Sequence, residues 1–166
     1  MTEALSRIET LILKSNRLVI SAIAEDPECA AYSGCSFQLS GRNIQFRQAK
    51  STPKKSGQFV TLWKRNHKGQ TEPFNVMDDF DFYMIAAGQQ HRFGFFLFPK
   101  YLLGEKQILT TSHKEGKRGF RIYADWDIVP NRQAEKTKAW QTRYFTDLTA
   151  PEHTDPKAFH SIINGY

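Results

Sequence analysis

The chain has 166 residues and a formal charge of +6, with 40% hydrophobic and 13% aromatic residues. This size and apolar content fit a single folded domain spanning residues 1–166 and exclude an intrinsically disordered chain. Its longest apolar runs are too short to cross a bilayer, the N-terminal residues lack the order of a secretory signal, and Cys29 and Cys35 form no disulfide framework or zinc site. The expectation is a cytoplasmic protein with reduced thiols, no cofactor and no membrane span.

Residues 3–14 place Leu5, Ile8, Leu11 and Ile12 at helical spacing behind the start signals Thr2 and Glu3. Leu18 to Ala24 is a short apolar run that could be helix or strand. Cys35 to Leu39 is expected as the first strand, with Ser40-Gly41-Arg42-Asn43 turning the chain into the second. Ile44 to Lys50 and Gln58 to Lys64 both alternate with period 2, and Ser51-Thr52-Pro53-Lys54-Lys55-Ser56-Gly57 lies between them. The pattern predicts a hairpin with a positively charged tip, followed by a loop over 66–79.

Phe80 to Ala87 alternates Phe82, Met84 and Ala86 against Asp81, Tyr83 and Ile85, and Arg92 to Phe98 returns as its partner strand. A helical turn closes at Gly104, Gln107 to Thr111 reads as another strand, and Phe120 to Tyr123 as a short one. Asn131 caps a final helix expected to run from Arg132 to about Leu148, and Phe159, Ile162 and Ile163 in the tail either dock or fray. Strands joined by short turns with helices at both ends give an α+β fold. Its sheet should be mainly antiparallel, with four to six strands, flanked by an N-terminal and a C-terminal helix.

The positive charge concentrates between Arg42 and Lys68, where eight basic residues occur and no acid interrupts the chain from Glu28 to Glu72. Lysine and arginine neutralise phosphates and aromatics stack on bases, so this mixture suits a nucleic acid or other polyanion. The candidate binding residues are Arg47, Lys50, Lys54, Lys55, Lys64 and Arg65, with Trp63 for stacking. Lys117, Arg118 and Arg121, from the glycine-bearing segment 116–121, are expected to extend the surface. The plainer alternative makes Phe59 and Trp63 core residues and the lysines a solvated loop.

Six fragments, FRQAKSTPKKSGQFVTLWKR (46–65), EPF (72–74), DFDFYMI (79–85), FGFFLFPKYLL (93–103), KEGKRGFRIYADWD (114–127) and NRQAEKTKAWQTRYF (131–145), together resemble the MepB-like family of small bacterial proteins. The resemblance covers about residues 30–146. It implies no agreed activity; the family is named for a gene beside a multidrug efflux pump, which suggests an accessory role for a small molecule or partner protein.

Gln48-Ala49-Lys50 at a strand end also resembles a glutamine variant of the (D/E)xK half of the PD-(D/E)xK nuclease signature. That resemblance makes Lys50 the candidate catalytic residue of a Mg²⁺-dependent phosphodiesterase. The usual first aspartate is absent between Glu28 and Lys50, so Glu25, Asp26 or Glu28 would have to replace it. Glu72, Asp78, Asp79 and Asp81 could hold a cation or pair with the basic stretch, and Asp125 or Asp127 should pair with Arg118 or Arg121. The five histidines show no metal-ligand spacing, and no Walker loop, GxSxG or GxGxxG occurs. The expected function is therefore non-catalytic binding of an anionic partner, nucleic acid first.

Overall fold

The computed structural model describes residues 1–165. The chain opens with helix α1 (Glu3–Ile8), capped by the Thr2 hydroxyl and prolonged by a π-helical turn over Glu9–Leu13. It continues through β1 (Ile20–Glu25), a 3-10 turn (Pro27–Tyr32), β2 (Cys35–Leu39), β3 (Arg42–Gln48), β4 (Lys50–Ser51) and β5 (Gln58–Thr61). Next come β6 (Trp63–Arg65), β7 (Thr71–Pro73), β8 (Phe82–Gln89), β9 (Arg92–Pro99) and α2 (Lys100–Glu105). The last elements are β10 (Gly119–Ile122), α3 (Arg132–Gln141), β11 (Phe145–Asp147) and α4 (Pro156–Asn164).

The main sheet has six strands in the order β1-β2-β3-β8-β9-β11. Only the β3–β8 pair is parallel; its neighbours are antiparallel. A three-stranded sheet, β10-β5-β4, and the β6–β7 ribbon lie beside it. The fold is α+β with a mostly antiparallel sheet and helices at both ends, as the pattern predicts. Among the described residues, no helix is long and apolar enough to cross a membrane.

Alternation on β8 and β9 divides the core between the two faces of the main sheet. Phe82, Met84 and Ala86 with Phe93, Phe95 and Leu97 join the cluster completed by Leu5, Ile8, Phe159 and Ile163. Tyr83, Ile85 and Ala87 with Phe96 and Phe98 join Val60, Leu62, Leu103 and Ile122 on the other face. Each fully buried side chain of this size contributes about 1.5–3 kcal/mol relative to exposure. The tail therefore docks: Phe159 packs its ring 5.7 Å from that of Phe95.

Three expectations are corrected. The basic segment is not a simple hairpin. β3 belongs to the main sheet, Ala49 donates its N–H to Ala86 O, and only Lys50 and Ser51 cross over to pair with Phe59 and Gln58. Residues 107–111 form no strand and contribute a single parallel bridge, Asn75 to Thr110. The final helix ends at Gln141, and Phe145–Asp147 becomes β11, because Gly94 on β9 leaves room for the Phe145 ring at the sheet edge. The undecided run near Leu18 is the edge strand β1, which bulges between Ser21 and Ala24.

Candidate functional site

Burial and internal bonding divide the predicted basic surface into two groups. Arg47 is the largest correction. It is the next-to-last residue of β3, with its side chain fully buried and its guanidinium against Gly34. Its Nη1 donates to Phe46 O at 2.7 Å and its Nη2 to Asp26 Oδ2 at 3.1 Å, while Nε is buried without a partner among the described residues. β3 is flanked by β2 and β8, so the alternation that carries Arg47 off the Phe46 face carries it into the second core layer instead of solvent. It cannot contact a phosphate.

Four more cations are engaged within the fold. Lys64 pairs with Asp78 at 2.6 Å and Glu72 at 3.6 Å. Arg65 pairs with Glu28, donates to Gly69 O, and lies 5.6 Å from the Trp63 ring centroid, so one face of Trp63 is covered. Arg118 donates to Thr71 Oγ1 and Thr71 O and pairs with Glu115 at 3.4 Å. Arg121 reaches across its sheet to Ser56 O, Gly57 O and Thr52 Oγ1. It is the clamp of the 51–57 loop, in which Gly57 supplies a positive φ of 72° against the Ile122 carbonyl.

Lys50, Lys54, Lys55 and Lys117 remain exposed, and none of them pairs with an acid among the described residues. Lys50 Nζ lies 4.8 Å from the centre of the Tyr32 ring. Of the three acids that would have supplied a metal near it, Asp26 holds Arg47 and Glu28 holds Arg65, while Glu25 ends the edge strand β1 opposite Cys35. Asp79 and Asp81 accept from Asn43, through its amide side chain and its backbone N–H respectively. No group of three or more His, Cys, Asp or Glu side chains suited to a metal ion occurs among the described residues. The expected Arg–Asp pairs near 125–127 do not form within that set: Asp127 accepts from Ala124 N–H at 2.8 Å. Partial burial pushes the Asp125 and Asp127 carboxyls upward.

Of the exposed lysines, Lys117 acquires a context that the sequence alone did not show. Lys117, Arg121 and Lys106 line a cleft of about 380 Å³ between β10 and α3, together with Tyr123, Asn131 and Trp140. Among the described residues, no carboxylate lines it. Its floor is set by Gln141, fully buried, which accepts from Tyr123 N–H at 2.8 Å and donates to Arg121 O at 3.0 Å. Asn131 caps α3 by accepting from Ala134 N–H, so the positive end of that helix opens into the cleft. Lys106 lies 5.4 Å from the centre of the Trp140 ring, which also lies 5.3 Å from that of Phe98.

Lys106, Asn131, Trp140 and Gln141 were not singled out as site residues from sequence. Lys106 follows a short helix and carries no local signal; the segment after it is tied to Lys117, whose N–H donates to Ile108 O at 2.9 Å.

The MepB-like family model matches residues 26–147 of this chain. The chain belongs to the MepB-like family. The crystal structure of MepB aligns with this MepB-like protein at a TM-score of 0.77 and 32% identity, covering 89% of this chain and 97% of that one. No curated protein matches it. The matched region includes the engaged cations, the β10–α3 cleft and both cysteines of this MepB-like protein. It leaves out α1 and α4, which cover one face of the sheet.

Cys29 and Cys35 are buried beside Arg47, and desolvation pushes both thiols above their ordinary range even though the guanidinium pulls the other way. A raised pKa keeps a thiol protonated and unreactive. Neither cysteine should be labelled by iodoacetamide in the native protein at neutral pH, and both should be labelled in urea. Rapid native labelling, followed by mass spectrometry, would contradict this placement.

Proposed function

We propose that this MepB-like protein is a non-catalytic binder of an anionic partner, nucleic acid first, and that the partner enters the β10–α3 cleft. The observation that carries the reading is the lining: Lys106, Lys117 and the clamped Arg121 with Trp140 and Tyr123, and no acid. Cations along a groove attract a phosphate backbone by releasing counterions. Lys54 and Lys55, exposed on the loop that Arg121 holds, extend the positive surface beyond the cleft. The engaged cations Lys64, Arg65 and Arg118 and the buried Arg47 have no part in it.

Fluorescence anisotropy of labelled single- and double-stranded oligonucleotides, measured between about 50 and 200 mM salt, tests the reading. Affinity should fall steeply as salt rises. Lys106→Glu with Lys117→Glu should weaken binding at least tenfold and flatten the log–log salt slope by about 1 per lysine. Lys54→Glu with Lys55→Glu should have a smaller effect in the same direction. Failure to retain any oligonucleotide at low salt, or indifference to the cleft pair, overturns the proposal.

A further inference from the structure

A second cleft, of about 290 Å³, lies where β3 and β8 end; its lining includes Glu3, Arg7, Gln48, Gly88, Gln90 and Arg92. It shares no residue with the β10–α3 cleft. β3 and β8 are the parallel pair of the main sheet, so Gln48 and Gly88 both lie at carboxyl ends. The cleft lies just outside these two ends. Its floor is held by Gln58, which donates to Gly88 O at 2.8 Å and accepts from Gly88 N–H at 3.3 Å.

Two features of the cleft suit a ligand better than a solvated surface. The Arg7 guanidinium lies 3.9 Å over the Phe93 ring, which fixes its plane and leaves its N–H fork to face outward. Glu3 stands four residues before Arg7 on α1, a spacing that commonly pairs acid with base on a helix, yet no ion pair joins them. Arg92 lies 6.0 Å from the centre of the Trp126 ring. Among the described residues, the side chains of Arg7, Gln48, Gln90 and Arg92 make no hydrogen bond or ion pair. All four are exposed and line one concave space.

We propose that the cleft formed by Arg7, Gln48, Gln90 and Arg92 at the carboxyl ends of β3 and β8 seats the phosphate group of a nucleotide. A planar guanidinium matches two phosphate oxygens, and two arginines with two amides provide donors for a dianion. Glu3, which also lines the cleft, offers an acceptor to a sugar hydroxyl that inorganic phosphate lacks. The site therefore selects a phosphate that carries a sugar over inorganic phosphate. The phosphate comes either from a free nucleotide or from the end of a polynucleotide, and the chemistry at the arginines is the same for both.

Amide chemical shifts of Gly88 and Phe93 report occupancy during titration of the full chain. Three probes are used: inorganic phosphate, a nucleoside 5′-monophosphate, and a short oligonucleotide with or without a 5′-phosphate. The monophosphate should move these amides at concentrations at least tenfold below inorganic phosphate, and Glu3→Gln should narrow that gap.

Arg92→Gln, at an exposed hairpin position, and Arg7→Lys, which keeps charge and stem but loses the fork, should each weaken binding at least tenfold with unchanged circular dichroism. A response confined to the 5′-phosphorylated oligonucleotide, still lost in these variants, assigns the phosphate to a polymer end. No shift with any probe at millimolar concentration, or shifts that both variants retain, overturns the proposal. Lys106→Glu and Lys117→Glu leave these arginines in place, so failure of binding at the β10–α3 cleft is distinguishable from failure here.

Discussion

Asp26→Ala is expected to destabilise the protein by about 3 kcal/mol, although Asp26 is a partly exposed residue at the start of a 3-10 turn. Its importance comes from its partner. The Arg47 side chain is fully buried, and the Asp26 carboxylate, with 35% of its side chain exposed, balances that charge at 3.1 Å. Removing the acid leaves a desolvated guanidinium with one carbonyl acceptor, Phe46 O, and an Nε that already lacks a partner among the described residues. An uncompensated buried charge of this kind costs about 3–5 kcal/mol, and water entering at the Asp26 side keeps the figure at the lower end.

The reverse substitution behaves differently. Arg47→Met replaces the charge with an apolar chain of similar reach, and Asp26 can turn to solvent, so the loss should stay below about 1.5 kcal/mol. Urea denaturation of both single variants and the double variant measures the asymmetry. Should Arg47→Met prove as damaging as Asp26→Ala, the pair is not organised by a buried, uncompensated charge.

Arg47 also marks the boundary of what could be read from the residues. In the one-dimensional pattern it is indistinguishable from Lys54 or Lys64, since all three are basic residues in or beside alternating segments. What separates them is tertiary. Arg47 has strands on both sides and an acid 21 residues earlier; Lys64 has an acid 14 residues later; Lys54 has neither. Charge density was legible, but the fate of each charge depended on contacts far apart in sequence.

Strand identity was legible wherever both faces of a strand had a consistent destination, as in β8 and β9, whose alternating residues feed opposite core layers. It was misread between Ile44 and Lys50. The alternation there is continuous, but the chain leaves one sheet for another at Ala49. Period-2 spacing records which residues share a face. It does not record which neighbour a strand will pair with, and so it could not reveal the cleft built from β10, α3 and the residue after α2.

Gly94→Ala is expected to cost about 3 kcal/mol, the upper end for an overpacked site, and to act on the C-terminal quarter of the chain. A Cβ at this position would lie 2.5 Å from Thr146 O and 2.5 Å from Phe145 Cζ. The ring could rotate, but the carbonyl belongs to the β9–β11 ladder, in which Gly94 faces Asp147 and Phe95 faces Thr146. Relief therefore requires β11 to move away from β9. β11 is an edge strand of three residues with a single neighbour, so moving it gives up most of its pairing. Leu148 N–H, bonded to Phe93 O at 2.8 Å, and Phe159, packed edge-to-face against Phe95, lie just beyond it. Separation of β11 should consequently loosen α4 as well. Limited proteolysis would show the variant cleaved between residues 142 and 156 at protease levels that leave the parent chain intact, with amide exchange accelerated in β11 and α4 and unchanged in β2 and β3. Uniform acceleration across the main sheet would place the cost in global stability and remove the role assigned to Gly94 at this edge.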